Sequence, residues 1–311
     1  MNILLGDPAT WDSGGPHVVT IGVFDGVHLG HQHVIGLVKD AAAAAGLRSG
    51  LITFDRHPLT VLAPQYAPPL LTSLDRRLEL FEQAGLDTVG VLPFGDAVRT
   101  LSPEDFVMRA IVMGFCARRV VVGEDFRFGL DRAGNVEVLA MLGVEMGFDV
   151  DAVTLLSDQG PLSSSRIRSL VAEGDVVGAS EALGRDFELR GLVMGERGRV
   201  GRTGVATSNL VIPEGLAAPR NGVYAVMVSY ESHEEAPGVL YVGTRPTFGG
   251  TTSVMQFHLL DGATGSVLPS ARIRFVSHIR DEQRFVDTAT LAAAVAGDIE
   301  EARRVLDRQT P

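Results

Sequence analysis

The chain has 311 residues, enough for about two domains at roughly 150 residues each. Apolar residues make up 45% and charged residues 21%, the balance of a chain with a sizeable core, and a net charge of −11 argues against non-specific binding to nucleic acid or to an anionic membrane. The single cysteine, Cys116, excludes an intrachain disulfide or a metal–thiolate cluster; between Phe115 and Ala117 it reads as a small buried apolar residue.

The first residues, MNILLGDPAT, lack the basic start and long apolar segment of a signal peptide. No apolar run approaches the roughly 20 residues of a membrane helix, so a cytoplasmic protein is expected. HVVTIGVF (17–24) predicts a buried strand, HVIGLVKDAAAAAG (33–46) an alanine-rich helix stopped by Gly46, and SGLITF (49–54) a second strand. SLDRRLELFEQAG (73–85) predicts a helix capped by Ser73 and ended by Gly85, followed by a strand over TVGVLPF (88–94). SPEDFVMRAIVMG (102–114) starts with a cap and a proline suited to the first turn. RRVVVG (118–123) is a fourth strand and NVEVLAMLGVEMG (135–147) a further helix. The alternation of short apolar strands and helices argues for a parallel sheet covered on both faces, with ligands at the carboxyl ends of its strands.

SSSRIRSLVAEGDVVGASEALG (163–184) reads as two short helices. From Phe187 onward the segments ELRGLVMG, GVYAVMVSY, GVLYVG, SVMQFHLLD and ARIRFVSHI are strand-like and separated by turn residues. That pattern points to a small antiparallel barrel or sandwich, closed by a terminal helix over DTATLAAAVAGDIEEARRVLDR (287–308). The division between domains is expected near 184–188. Neither composition nor motifs set an oligomeric state.

Three of the eight histidines, His28, His31 and His33, fall within IGVFDGVHLGHQH (21–33), where a strand hands over to a helix. With helical phasing from His28, the rings of His28 and His31 point the same way. Backbone N–H groups at a helix start already favour an anion. Two imidazoles add donors able to hold a phosphate and to stabilise charge building on a leaving group, and Gly22 and Gly30 let the backbone come close. The competing readings are surface histidines in a loop, or metal ligands. A metal site would have only Asp25 as a close carboxylate. His33 is assigned to the helix surface with no role.

IGVFDGVHLGH resembles the signature of the nucleotidylyl transferases, and in particular of the bacterial bifunctional riboflavin kinase/FAD synthetase family. TFDRHP (53–58), LLTSLDRRLELFEQAGLD (70–87), VVGEDFRFG (121–129) and SSSRIR (163–168) resemble that family's adenylyltransferase half in order and spacing. NGVYAV (221–226), VGTRPTF (242–248) and RDEQRF (280–285) resemble its flavokinase half. The resemblance implies a Rossmann-like nucleotidylyl-transferase α/β domain with a parallel sheet over 1–185. It implies a small antiparallel β-barrel with a terminal helix over 186–311.

By resemblance the first half transfers AMP from ATP to FMN. The acceptor phosphate is already anionic near neutral pH, so positioning and charge neutralisation carry the step without a strong general base. His28, His31 and Arg168 are the catalytic candidates; Gly22, Phe24, Gly30, Ser164 and Arg168 would contact ATP. Without the motif Arg168 is an exposed helix arginine. His57, Pro58, Asp125, Phe126 and Phe128 would line the flavin, with core packing the competing reading for each phenylalanine. Mg2+ would bridge the phosphates and need few protein ligands. The implied partners are small-molecule substrates, ATP with FMN or riboflavin, and neither nucleic acid nor membrane.

The flavokinase half departs from its family. The pattern there runs approximately G-R-x-L-G-F-P-T-A-N-L, and the chain reads GRTGVATSNL (201–210). Thr207 and Asn209 match the family's Mg2+ and phosphate ligands, but the proline has become Ala206. Where the family carries a glutamate two residues before a histidine, this chain has Gln256 in VMQFHLLD. A carboxylate can take the proton of the riboflavin hydroxyl and an amide cannot, so FAD synthesis is expected to be kept and riboflavin phosphorylation to be weak or absent. Asp261 is the nearest other acid in sequence. A fully bifunctional enzyme, a transferase acting on a modified flavin and a non-catalytic flavin- or nucleotide-binding relative are the alternatives.

Overall fold

The computed structural model describes residues 1–154, 163–194, 205–230, 235–247, 250–260 and 270–308. The chain divides into two compact units, Met1–Ser164 and Ser165–Pro311, so that the paired helices after residue 163 group with the second unit.

The first unit holds β1 (Asn2–Leu5), β2 (His17–Ile21), α1 (Leu29–Ala45), β3 (Arg48–Phe54), the one-turn helix α2 (Leu59–Leu62), α3 (Leu74–Gln83), β4 (Thr88–Leu92) and the one-turn helices α4 (Asp96–Arg99) and α5 (Pro103–Phe106). A π-helical stretch, Val107–Met113, then leads to β5 (Ala117–Gly123), α6 (Val136–Met146) and β6 (Asp149–Val153). The six strands form one parallel sheet in the order β1-β4-β3-β2-β5-β6. From β2 the chain winds outward through β3 and β4, then returns to place β5 on the other side of β2. The order therefore reverses between β2 and β5, where open α/β sheets leave a crevice at their carboxyl edge.

Both faces of the sheet are packed. Val19, Ile21, Ile52 and Val120 join Trp11, Phe106, Ile111, Phe115 and Leu139 on one side, while Leu51, Val89 and Val91 meet Ile35, Leu80 and Phe81 on the other. The helix ends follow local chemistry. Ser73 caps α3, Ser102 caps α5 ahead of Pro103, and Asn135 caps α6, each accepting a backbone N–H with its side chain. Gly46 and Gly147 close α1 and α6 in the left-handed conformation.

The structure alters several expectations. The run 17–24 is strand only to Ile21, because the next residues turn, and α1 begins at Leu29 rather than at 33. The strands β1 and β6 are only four and five residues long and largely exposed, so neither signals itself as a core strand; both lie at the sheet's edges, where one side needs no partner. Cys116 is exposed rather than buried: it sits at the reversal into β5 with φ +48°, while its neighbour Phe115 fills the core.

The second unit contains α7 (Ser164–Glu173, its first residue falling in the first unit), α8 (Val176–Leu183), β7 (Glu188–Met194), β8 (Ser208–Val211), β9 (Gly222–Tyr230), β10 (Ala236–Thr247), β11 (Gly250–Leu259), β12 (Ser270–Asp281) and α9 (Thr288–Asp307). Its six strands close an antiparallel barrel in the order β10-β11-β8-β7-β12-β9. Leu210, Tyr224, Val226, Leu240, Met255, Phe257 and Phe275 are buried. Helix α9, capped by Asp287, lays Ala302 and Leu306 over Ala225 and Val276. It is tied to the end of β12 by the two-pronged Arg280–Asp298 pair, both contacts at 2.7 Å. The short strand β8, absent from the sequence reading, is what closes the barrel between β11 and β7.

Candidate active site

The turn from β2 into α1 is built against backbone preference. Phe24 and Val27 hold φ of +53° and +41°, which bulky and β-branched residues rarely adopt. Gly26 takes φ +81°, and Gly22 makes room for the Phe24 ring, which lies 3.1 Å from where a Cβ at Gly22 would stand. The turn delivers His28 to the N-cap of α1, where its Nδ1 accepts the His31 N–H at 3.3 Å. A neutral His28 that accepts at Nδ1 carries its proton on Nε2.

One helical turn on, the His31 ring stacks on His28 with centroids 3.6 Å apart and 19° between planes, and Phe24 lies 4.8 Å away on centroids. Burial, aided by the neighbouring His28 and by Arg77, holds the His31 imidazole well below its ordinary range. Its Nδ1 is buried with no hydrogen-bond partner among the described residues. A buried imidazole at a helix N-terminus is an unfavourable place for a proton unless an anion lies beside it. Gly30 is buried in the first turn of α1, and His33 is exposed on the helix surface.

Asp25 holds this turn in place and is unsuited to a metal. It is 2% exposed, and its carboxylate accepts the backbone N–H of Leu71 at 2.9 Å and of Thr72 at 3.2 Å. Thr72 in turn accepts the Gly26 N–H at 3.0 Å, and Ser164 donates its hydroxyl to the Asp25 carbonyl at 2.9 Å. Among the described residues no group of three acidic, histidine or cysteine side chains could hold a metal ion. Among the described residues the turn offers a divalent cation no ligand cluster of its own.

The structure thus brings together Gly22, Phe24, His28, Gly30 and His31, and ties Ser164 to them through Asp25. Arg168 stands one turn beyond Ser164 on α7, with Nη1 at 3.4 Å from Ser165 Oγ. His57 follows β3, its Nδ1 accepting the Leu59 N–H at 3.1 Å, and Pro58 heads α2. Asp125 and Phe126 follow β5; Phe126 stacks on Phe128 at 5.3 Å, and Phe128, 6% exposed, is itself in the core against Phe106. Phe128 therefore supports Phe126 from beneath. Sequence reasoning missed Arg77 and Thr72. The signal for Arg77 was a charge on the stripe 77, 80, 81, 84 of an otherwise apolar helix face.

In the barrel, Asn209 and Gln256 lie directly opposite each other on β8 and β11, and Gln256 Nε2 donates to Asn209 Oδ1 at 2.8 Å. Their neighbours Leu210, Met255 and Phe257 are buried, so the two amides share the other face of the ladder. His258 Nδ1 lies 2.8 Å from the Ala206 carbonyl, and Tyr241, cross-strand from Gln256, donates its hydroxyl to Glu282. Thr207 precedes β8 and is half-buried. Thr207 Oγ1 and Asn209 Oδ1 are hard oxygen donors of the kind Mg2+ takes beside a substrate's phosphates, and Gln256 engages one lone pair of the Asn209 oxygen. Residues 201–204 and Asp261 lie outside the described residues.

A parallel sheet with a histidine turn at its switch point and a closed antiparallel barrel make up the chain, and comparison with known proteins places it among the nucleotidylyltransferases. Residues 12–167 match the FAD synthetase family and residues 183–306 match the riboflavin kinase family. The bifunctional riboflavin kinase/FMN adenylyltransferase of Pseudomonas fluorescens is 34% identical over 288 residues, 92% of each chain. The protein of the same description from Escherichia coli K12 is 32% identical over 296 residues, 94% of each chain. The chain belongs to this family of bifunctional transferases. A solved structure described as a macrolide-efflux protein from Streptococcus pneumoniae superposes with a TM-score of 0.87 at 26% identity, covering 97% of this chain and 99% of the other. Among the described residues no helix is long and apolar enough to cross a membrane.

Proposed function

We propose that the first unit transfers AMP from ATP to FMN, forming FAD and pyrophosphate, and that the barrel phosphorylates riboflavin weakly or not at all. The observation that carries the first statement is the stacked His28–His31 pair on a strained turn at the carboxyl edge of the sheet. An FMN phosphate oxygen attacks the α-phosphorus, and the bond to the bridging α–β oxygen breaks. Mg2+ supplies charge neutralisation on the phosphates when bound. The His28 Nε2–H and the N–H groups of the first turn of α1 face charge that grows on the leaving pyrophosphate. Arg168, on the same helix face as Ser164, adds a second cation. His57, Pro58, Asp125 and Phe126, with Phe128 beneath, form the flavin side. The enzyme is cytoplasmic.

The second statement rests on Gln256. Phosphorylating riboflavin removes a hydroxyl proton, and an amide held in a hydrogen bond to Asn209 does not accept it. Incubation with ATP and Mg2+, with either FMN or riboflavin as acceptor and products separated by chromatography, tests both. FAD from FMN with little FMN from riboflavin is expected. Failure to form FAD overturns the first statement, and riboflavin phosphorylation as fast as adenylylation overturns the second.

A further inference from the structure

Among the described residues Arg77 is the largest fully buried side chain. It lies on the inner face of α3, between Ser73 at the cap and Leu80 and Phe81 in the core. Its guanidinium is spread over the turn after β2 and the end of β3. Nη1 donates to the Val23 carbonyl at 2.7 Å and to Thr53 Oγ1 at 3.1 Å, and Nη2 donates to the Phe54 carbonyl at 3.0 Å. Thr53 closes the triangle by donating its own hydroxyl to the Val23 carbonyl at 3.1 Å. Among the described residues no carboxylate touches it; Asp25 and Asp55 act on it only through space.

For stability alone this is a costly design. A fully desolvated cation bonded to neutral acceptors is worth less than an apolar side chain of similar volume. The acceptors explain its place. Val23 opens the strained turn that sets His28 and His31, and Phe54 ends the strand that leads into His57. A planar fork with several donors can hold both segments in one plane, which an ammonium cannot.

Resting on the AMP-transfer reading, we propose that Arg77 is a positioning residue for that reaction. It fixes the backbone at Val23 and Phe54 as one rigid shelf and sets a permanent positive charge within range of the His28–His31 pair. The groups that bear on His31 are the stacked His28, the ring of Phe24 and Arg77, while Asp25 and Asp55 temper the arginine's charge. Arg77 is one of the forces that depress the His31 imidazole, so it favours a neutral ring that takes up a proton only as a phosphate arrives.

The test compares Arg77→Lys and Arg77→Met with the wild-type chain. Three readouts are used: melting behaviour, the kcat and KM of FAD formation across pH, and an imidazole NMR titration of His31 in the absence of substrates. Arg77→Lys keeps the charge and loses the fork. It is expected to lower kcat by about 10- to 100-fold, with the KM for ATP and the acid limb of the pH profile in place. Arg77→Met removes the charge and is expected to move the His31 titration and the acid limb upward. Should Arg77→Met fail to fold, Arg77→Lys decides: a kcat loss beyond its unfolded fraction supports the role. A folded Arg77→Lys with wild-type kcat overturns it, as does a folded Arg77→Met with an unmoved His31 titration. A wild-type chain that makes no FAD fails the AMP-transfer reading itself, a result distinct from any of these.

Discussion

The two units each gather polar side chains beside apolar strands, yet they treat them in opposite ways. In the sheet, His28 and His31 are stacked at 3.6 Å on a turn whose Phe24 and Val27 sit in the left-handed region. In the barrel, Asn209 and Gln256 face each other on a regular ladder and satisfy one another at 2.8 Å. The first cluster holds groups against their own preferences, a state that the proposed phosphate would relieve. The second satisfies itself, with an amide at the position where the family resemblance leads one to expect a carboxylate. A strained turn marks the unit expected to do chemistry, and internal satisfaction marks the one expected to have lost it.

The largest expected effect would erase this difference. Gln256→Glu places a carboxylate at the position of the missing base. It is expected to raise riboflavin phosphorylation by up to about 10²- to 10⁴-fold, measured as FMN formed from riboflavin and ATP, with FAD formation from FMN unchanged. The reverse experiment levels the units from the other side. His28→Ala and His31→Ala are each expected to lower FAD formation by about 10²- to 10³-fold, read as initial rates at saturating FMN.

A third substitution asks whether the strained turn needs its clamp. Asp25→Ala leaves the Leu71 and Thr72 N–H groups buried without acceptors and is expected to cost about 3 kcal/mol of stability in denaturant unfolding. The barrel's unfolding should be unaffected if the two units melt separately.

Acidification should weaken the fold in a defined direction. His17, His31 and His278 are all held below the ordinary imidazole value of 6.5, burial being the first cause in each. As pH falls through about 6.5 the unfolded chain binds protons that the folded chain refuses. Stability is therefore full above that pH and declines below it, toward the lower folded values. Melting temperatures from pH 8 to pH 5 check the decline. ATP should offset part of it, because phosphate favours the protonated His31. The smallest effect belongs to a plain cap: Asp287→Ala at the head of α9 should lower the melting temperature slightly, equally with and without ligands.

Most of the element order was legible because it rests on local chemistry. Helix caps at Ser73, Ser102, Asn135 and Asp287 are short-range hydrogen bonds, and the stops at Gly46 and Gly147 are backbone preferences. The edge strands β1 and β6 and the four-residue β8 were not legible, since edge or brief strands need no strong apolar pattern. The solvent-facing turn of Cys116 was missed because a small apolar residue says nothing about the φ its neighbours impose.

By itself the sequence determined the alternating first half, the strand-rich second half and the histidine turn, because periodicity, caps and motif spacing are properties of neighbours in the chain; the departure at Gln256 is visible only beside the family it resembles. Only the tertiary structure decided what those residues face: that Asp25 is consumed by the backbone of residues 71 and 72, that Phe128 props Phe126, that Gln256 is bonded to Asn209, and that Arg77 clasps the turn after β2 and the end of β3. Those outcomes depend on contacts between segments tens of residues apart. Burial there sets both the cost of a charge and the partners that can meet it.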